Sequence, residues 1–228
     1  MKFYLSILLL TLFCILSGTL LFAQDTAYNT VTNRTQYFKP GAVIIPAAFV
    51  VYGCLKPAIK AIQNTDDKIW QQVQTNHASF KTNAADYLMW APSAAIYLMD
   101  GLHLQTKHSF KEHLILDVGS LIVTGGIGMV MRKISGNIDA YKTYGTKFPS
   151  GHTANVFRGA EIFHQELKDG HELLSYSGYV VAAGVGALRI YNKNHLLTEV
   201  LAGAGLGILS TKLTYWVFDK VKYKNKRK

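Results

Sequence analysis

The sequence predicts an all-α protein, a bundle of six helices that follows an apolar leader. The chain has 228 residues, of which 49% are hydrophobic and 17% are charged, so it can bury a sizeable core. Its apolar residues are concentrated in stretches of helical length, and several stretches carry glycines that allow close helix contacts. The six predicted helices are residues 41–55, 88–102, 114–131, 154–167, 176–190 and 200–218.

The N-terminal residues 1–23 have the composition of a secretory signal peptide. Lys2 precedes a run that is almost wholly apolar, and Ala23 offers a small residue for cleavage. Leu21 is an imperfect residue for the minus-three position of that cleavage site. An uncleaved anchor helix therefore stays open as the alternative.

Three further segments complete the predicted organisation. They are a polar, threonine-rich segment over 24–40, a helical domain over 41–218 and a basic tail over 219–228. The net charge of +10 favours an anionic partner, such as nucleic acid, anionic lipid or an anionic substrate. Because the chain carries no nucleic-acid motif, we expect a membrane or an anionic substrate and no nucleic acid.

Two polar regions separate the apolar stretches. Within residues 57–86 the apolar side chains are spaced as on an amphipathic helix, which we interpret as a surface helix on the bundle, or alternatively as an interfacial helix anchored by Trp70. Three histidines five residues apart follow at His103, His108 and His113. Since this spacing does not place them on one helical face, we predict a solvated loop and no metal site.

A candidate anion site lies at the predicted start of the helix over 154–167. Pro149 suits a helix start, Ser150 is a good N-cap, and Gly151 allows another atom to approach the backbone. Together with His152, these residues present free N–H groups, a hydroxyl and an imidazole in one direction. A helix N-terminus of this composition is suited to a phosphate-like anion.

A second chemical stretch contains Arg189, His195 and Glu199. His195 and Glu199 are four residues apart and therefore share one face of a helix. A carboxylate one turn from a histidine can hold one ring nitrogen and leave the other free to attack an electrophile.

These two stretches resemble the type 2 phosphatidic-acid phosphatases (PAP2), which share a fold and site with vanadium haloperoxidases. The family motifs read K-x6-R-P, P-S-G-H and S-R-x5-H-x3-D. The second motif is intact over 149–152. The third matches at Arg189 and His195, with Leu188 at the Ser position and Glu199 at the Asp position.

The first motif of the family is altered in this chain. Arg132 occupies the Lys position, while Asp139 and Ala140 occupy the Arg-Pro positions. Arginine for lysine keeps the charge, but aspartate for arginine reverses it and would repel a phosphate unless its loop turns outward. Further candidate phosphate contacts are Lys133, Lys142 and Lys147.

The resemblance implies a six-helix PAP2-type bundle with its active site at one end and a metal-independent phosphatase mechanism without a cofactor. His195 would be the nucleophile that forms a phosphohistidine, Glu199 would hold its other ring nitrogen, and His152 would act as general acid and base. The implied phosphate ligands are Arg132, Ser150, Gly151 and Arg189.

The implied substrate is a phosphorylated lipid of the phosphatidate, polyprenyl diphosphate or lipid A class. The resemblance and the leader together predict a cell-envelope protein, membrane-associated or integral, with its site facing the periplasm. Two alternatives stay open: a catalytically impaired member that binds a phosphorylated lipid or acts as a scaffold, and a vanadate-dependent haloperoxidase. If all six helices crossed the membrane, both ends of the helical domain would lie on the same side. A cleaved leader puts residue 24 outside, whereas the basic tail favours the cytoplasm. One helix should therefore fail to cross the membrane, either 41–55 or 154–167.

Overall fold

The computed structural model describes residues 40–225, and in this part of the chain it is entirely helical, without strands. The predicted leader over 1–23, the segment that follows it and the last three residues lie outside the described residues. Within the described part there are nine α-helices and one 3₁₀ turn over Asp139–Tyr141. The helices are α1 Pro40–Cys54, α2 Lys60–Asn76, α3 Ala84–Leu88, α4 Ala91–Gly101, α5 Phe110–Ser135, α6 Gly151–Leu167, α7 Glu172–Ser175, α8 Ser177–Tyr191 and α9 Leu197–Asn225.

The all-α prediction is confirmed, but the predicted count of six is too low for the described residues. The six apolar stretches became α1, α4, α5, α6, α8 and α9. The amphipathic region forms α2, and the two additional helices, α3 and α7, are single short turns. A prediction based on long apolar stretches misses elements of this length. In addition, α9 continues through residues 219–225 of the predicted basic tail.

The central helix of the bundle is α6, which contacts α4, α5, α8 and α9. Its polar side chains are buried and paired. Arg158 donates to the Asp117 carboxylate on α5 at 2.5 Å, and Glu161 accepts from the ammonium of Lys212 on α9 at 2.6 Å. Breaking one half of such a buried pair typically costs about 3–5 kcal/mol. These pairs therefore fix how α5 and α9 lie against α6.

At the C-terminal end of α6, the structure corrects the expectation of a solvated histidine loop. His103 is exposed, but His108 and His113 are buried. The ring nitrogens of both lie within 2.9 Å of the Glu166 carboxylate, and the hydroxyl of Tyr215 donates to the same carboxylate at 2.6 Å. The buried carboxylate near the end of α6 draws the two imidazoles inward, because an unpaired buried charge would be destabilising.

Helix α9 packs closely against α6 and α1 because glycines line the contact. A Cβ atom at Gly207 would lie 2.2 Å from the Ala154 carbonyl oxygen of α6, and one at Gly205 would lie 2.2 Å from the Pro46 carbonyl oxygen of α1. The approach predicted from these glycines is therefore present at both helices.

Three helical segments within the described residues are long and apolar enough to cross a membrane: Phe110–Ser135, Glu172–Tyr191 and Leu197–Lys222. Helix α5 has the most exposed apolar surface of the three, with Ile122 and Met129 at 68% and 73% exposure. Neither α1 nor α6, the two helices expected to include a non-crossing one, is among these segments.

We predict that Gly207→Ala lowers the free energy of unfolding by about 1–3 kcal/mol, because its Cβ would overlap the α6 backbone. The matched control is Gly126→Ala on α5, where no atom lies within 4 Å of the added Cβ. That control should be neutral or stabilising by up to about 1 kcal/mol, since alanine favours the helix. Equal thermal unfolding of the two purified variants in detergent would contradict the close packing of α9 on α6.

Candidate active site

The N-terminus of α6 forms one side of the candidate site. Ser150 is the N-cap residue and is fully buried, with its hydroxyl 2.9 Å from that of Thr153. Gly151 is exposed, and the first N–H groups of an α-helix have no intrahelical acceptor. The guanidinium of Arg132 reaches this end from α5, where Nη2 lies 3.5 Å from the Pro149 carbonyl oxygen and 3.5 Å from the place of a Cβ on Gly151. This end of α6 is therefore electropositive.

The N-terminus of α9 carries the predicted histidine–carboxylate pair. Nδ1 of His195 lies 2.7 Å from Oε2 of Glu199, which also accepts from the Leu196 N–H at 3.3 Å. The other oxygen, Oε1, accepts from the hydroxyl of Thr146 at 2.5 Å. Glu199 is completely buried. With Nδ1–H held by the carboxylate, the Nε2 atom of His195 keeps its lone pair for another partner.

The two helix N-termini are joined by a backbone hydrogen bond. The N–H of Ser150 donates to the Glu199 carbonyl oxygen at 3.0 Å. A Cβ at Gly203, one turn further along α9, would lie 2.6 Å from the Ser150 carbonyl oxygen, so the backbones approach closely here. This contact brings the stretch around His152 and the stretch around His195 to the same end of the bundle.

Arg189, near the end of α8, contributes a second guanidinium. Its carbonyl oxygen accepts from the N–H of His195 at 3.2 Å, which ties the loop between α8 and α9 to the end of α8. Its Nε atom is buried and has no hydrogen-bond partner among the described residues. A buried donor without a partner is a natural contact for an anionic oxygen.

An exposed carboxylate on α3 bridges the site. Oδ1 of Asp86 lies 2.9 Å from Nε2 of His152 and 3.5 Å from Nη1 of Arg189. His152 and Arg189 therefore point at one common oxygen atom. Their convergence defines a position where an anion is held by an imidazole and a guanidinium together.

The electrostatic surroundings act on His152. Burial of the ring and the positive charge of Arg189 lower the pKa of His152 below its ordinary value, while the Asp86 carboxylate opposes that shift. The charge that His195 carries when protonated acts in the same direction as Arg189. The two imidazoles therefore lie close enough for a charge on His195 to act on His152.

The structure brings most of the predicted site residues together at this end of the bundle. They are Arg132, Ser150, Gly151, His152, Arg189, His195 and Glu199. The Ser150 hydroxyl, however, is buried against Thr153 instead of lying open to the site.

The three alternative lysines and Asp139 of the altered first motif are exposed to solvent. Lys133, Lys142 and Lys147 are exposed. The side chain of Asp139 is 98% exposed and pairs with the ammonium of Lys142 at 3.0 Å. The 3₁₀ turn that begins at Asp139 thus directs its carboxylate into solvent, which removes the expected repulsion of a phosphate.

Sequence reasoning missed two residues of this site, Asp86 and Thr146. Asp86 lies just before the second apolar stretch, and Thr146 lies in a polar loop. Neither belongs to the motifs, and no local spacing links either of them to His152 or Glu199. Their placement depends on tertiary packing, so the local pattern gave no signal for them.

The arrangement can perform group transfer to a nucleophilic imidazole. His195 offers a free ring nitrogen, His152 offers a second imidazole for proton transfer, and two guanidinium groups lie beside them. Preorganised donors of this kind stabilise charge that develops on phosphoryl oxygens.

The chain is similar to a known protein family and to individual known proteins. A family model described as the PAP2 superfamily matches residues 101–223, which is more than half of the chain. A protein of Porphyromonas gingivalis named lipid A 1-phosphatase is 32% identical over 159 residues. This alignment covers 69% of the present chain but only 36% of the relative, so the chain spans little more than a third of that protein's length.

A similar solved structure is the crystal structure of a transmembrane PAP2 type phosphatidylglycerolphosphate phosphatase from Bacillus subtilis. The two chains superpose with a TM-score of 0.49 and are 20% identical. The superposition covers 78% of the present chain and 97% of the other.

Proposed function

The chain belongs to the PAP2 superfamily, and we propose that it is a metal-independent phosphatase that hydrolyses a phosphomonoester or diphosphate of an envelope lipid through a phosphohistidine intermediate. The observation that carries this proposal is the convergence of two imidazoles beside Arg189. Nδ1 of His195 is held by Glu199 at 2.7 Å, and His152 and Arg189 point at one oxygen position.

The first step forms a covalent phosphoenzyme. Nε2 of His195 attacks phosphorus, the bond from phosphorus to the leaving oxygen breaks, and His152 gives its proton to that oxygen. Glu199 keeps the proton of His195 on Nδ1 and stabilises the positive charge that the ring gains. The Thr146 hydroxyl and the Leu196 N–H hold the carboxylate in place while this happens.

The second step releases phosphate. Neutral His152 takes a proton from a water molecule whose oxygen attacks phosphorus, and the bond from phosphorus to Nε2 of His195 breaks. The electron pair of that bond returns to the ring nitrogen. The protons and electrons then balance, with His152 protonated again and His195 free for the next cycle.

The phosphoryl oxygens would be held by Arg189, Arg132 and the N–H of Gly151. The Asp86 oxygen marks one of these positions, since it already contacts both His152 and Arg189. A phosphoryl or leaving-group oxygen would displace it, and the half-exposed Asp86 side chain can rotate into solvent.

A lipid substrate is supported by the position of the site relative to apolar surface. The site lies where α5 ends, and α5 has the length and composition of a membrane span with exposed apolar side chains. The phosphate group of a lipid would reach the site at the membrane surface, while the acyl chains of the same lipid would stay among the helices. The similarity to a lipid A 1-phosphatase makes the lipid A class the first substrate to test, followed by phosphatidate and polyprenyl diphosphate.

We extend the proposal to a cell-envelope location with the site on the periplasmic side. The site lies at the N-terminal end of α9, opposite the basic residues that follow Phe218. Lysine-rich segments favour the cytoplasmic side of a membrane, which would leave the site on the other side.

Replacement of the nucleophile should abolish turnover. We expect His195→Ala to lower phosphate release from the best lipid by at least about 1,000-fold, and His152→Ala to lower it by about 100- to 10,000-fold. Phosphate release from lipid A, phosphatidate and polyprenyl diphosphate in mixed micelles measures this, with exposed His103→Ala as the matched control that keeps full activity. Wild-type release no higher than that of His195→Ala would refute the phosphatase proposal.

The outward position of Asp139 predicts that it does not impair catalysis. We expect Asp139→Arg to change kcat/KM by less than about two-fold, because an exposed pair with Lys142 interacts weakly with its surroundings. A large gain of activity in the same assay would instead support the alternative of a catalytically impaired member.

The pH dependence should report the environment of His152. Because burial and Arg189 lower the pKa of His152 and the step requires its protonated form, the alkaline limb of kcat/KM should lie below about pH 6.5. Asp86→Asn removes a charge that raises this pKa, so the limb should move to lower pH. A limb that stays in place or moves to higher pH in steady-state assays would show that His152 is not the acid.

A further inference from the structure

A buried ion pair lies behind the candidate site and is not used by the proposed chemistry. The ammonium of Lys56, in the turn after α1, lies 3.1 Å from Oδ2 of Asp66 on α2. Both residues are almost completely buried, at 2% and 1% exposure. Among the described residues, the Lys56 nitrogen has no hydrogen bond of good geometry. Lysine is rarely buried in this way unless its charge is paired.

The carboxylate of this pair clamps the beginning of α9. Oδ1 of Asp66 accepts from the N–H of Thr198 at 3.1 Å, and Oδ2 accepts from the Thr198 hydroxyl at 2.6 Å. Thr198 lies in the first turn of α9, directly before Glu199. A carboxylate at this position satisfies a free N–H group and interacts favourably with the helix dipole.

The end of α1 presses on the same turn. A Cβ at Gly53 would lie 2.7 Å from the Thr198 carbonyl oxygen, and the Gly53 carbonyl accepts from the Tyr141 hydroxyl at 2.9 Å. The ammonium of Lys56 lies 5.9 Å from the centre of the Tyr141 ring. The first turn of α9 is therefore held by α1, α2 and the loop before α6 together.

We propose that Lys56 and Asp66 are positioning residues that hold the Glu199–His195 pair in register and balance its charge. They act through Thr198, and neither is expected to touch the phosphate. Both lie outside residues 101–223, the part of the chain that the family model matches. The inference rests on the proposed phosphatase function, in which His195 must be neutral to attack.

The charges of the pair have opposite effects on His195. Besides its partner Glu199, the charged groups that face this end of the bundle are Arg132, Asp86, His152 and Arg189, together with Lys56 and Asp66 behind the first turn of α9. Without the Lys56 charge, the Asp66 carboxylate is uncompensated and favours a protonated His195. Without the Asp66 charge, the Lys56 ammonium favours the neutral ring.

The test compares Lys56→Met, Asp66→Asn and the double variant in steady-state assays from pH 4 to 9. Lys56→Met should move the acid limb of kcat/KM to higher pH by about 0.5 unit, and Asp66→Asn should move it to lower pH by a similar amount. The double variant should return the acid limb to its wild-type pH. Its kcat should still be about ten-fold below that of the wild type, and its KM should change by less than about two-fold. The matched control is Asp67→Asn. Asp67 is adjacent to Asp66 in the sequence, but its carboxylate accepts from the Tyr144 hydroxyl instead of from α9.

A second readout separates failure of this inference from failure of the proposed function. The ring nitrogens of His195 can be followed by NMR in detergent with ¹⁵N-labelled histidine, assigned by their loss in His195→Gln. Opposite shifts of the titration midpoint in the two single variants support the inference even if the wild type releases no phosphate. Shifts in the same direction, or no shift in folded Lys56→Met and Asp66→Asn, would overturn it and leave the pair a purely structural ion pair.

Discussion

One backbone hydrogen bond brings the two halves of the candidate site together. The N–H of Ser150 donates to the carbonyl oxygen of Glu199, and this bond joins the N-termini of α6 and α9. The absence of a side chain at Gly203 permits the two backbones to approach closely enough for it. This contact brings His152 and His195 to the same end of the bundle, because each lies within one turn of the joined helix ends. A larger separation of the two helices would leave two unrelated histidines.

The bundle maintains this contact with buried polar pairs along α6 instead of with apolar packing alone. Arg158, Glu161 and Glu166 each pair with groups on neighbouring helices, and all three are buried. Charged groups inside a helical bundle are costly unless they are paired, so these contacts specify which helices surround α6. The glycines of α9 then allow the backbones to meet at the end where the site lies.

The sequence predicted the two helix N-termini that meet at the candidate site, but it did not predict the residues that support them. His152, His195 and Glu199 could be identified because their chemistry resides in short motifs with fixed spacing. Asp86 and Thr146 could not be identified, since each reaches the site from a segment that is distant along the chain. The buried histidines at the far end of α6 were predicted to be solvated, because their partner Glu166 lies more than 50 residues away. Spacing reveals neighbours on one helix but not partners across a bundle.

The most direct test of this account is to trap the phosphorylated enzyme. Wild-type protein and a ³²P-labelled lipid phosphate would be mixed, quenched in alkali within milliseconds to seconds, digested and mapped by mass spectrometry. If His195 is the nucleophile, an acid-labile, alkali-stable phosphate is expected on the peptide that contains His195, and none in His195→Ala. Label on His152 or on another residue, or steady turnover without any labelled histidine under rapid quenching, would contradict the assignment of His195 as the nucleophile.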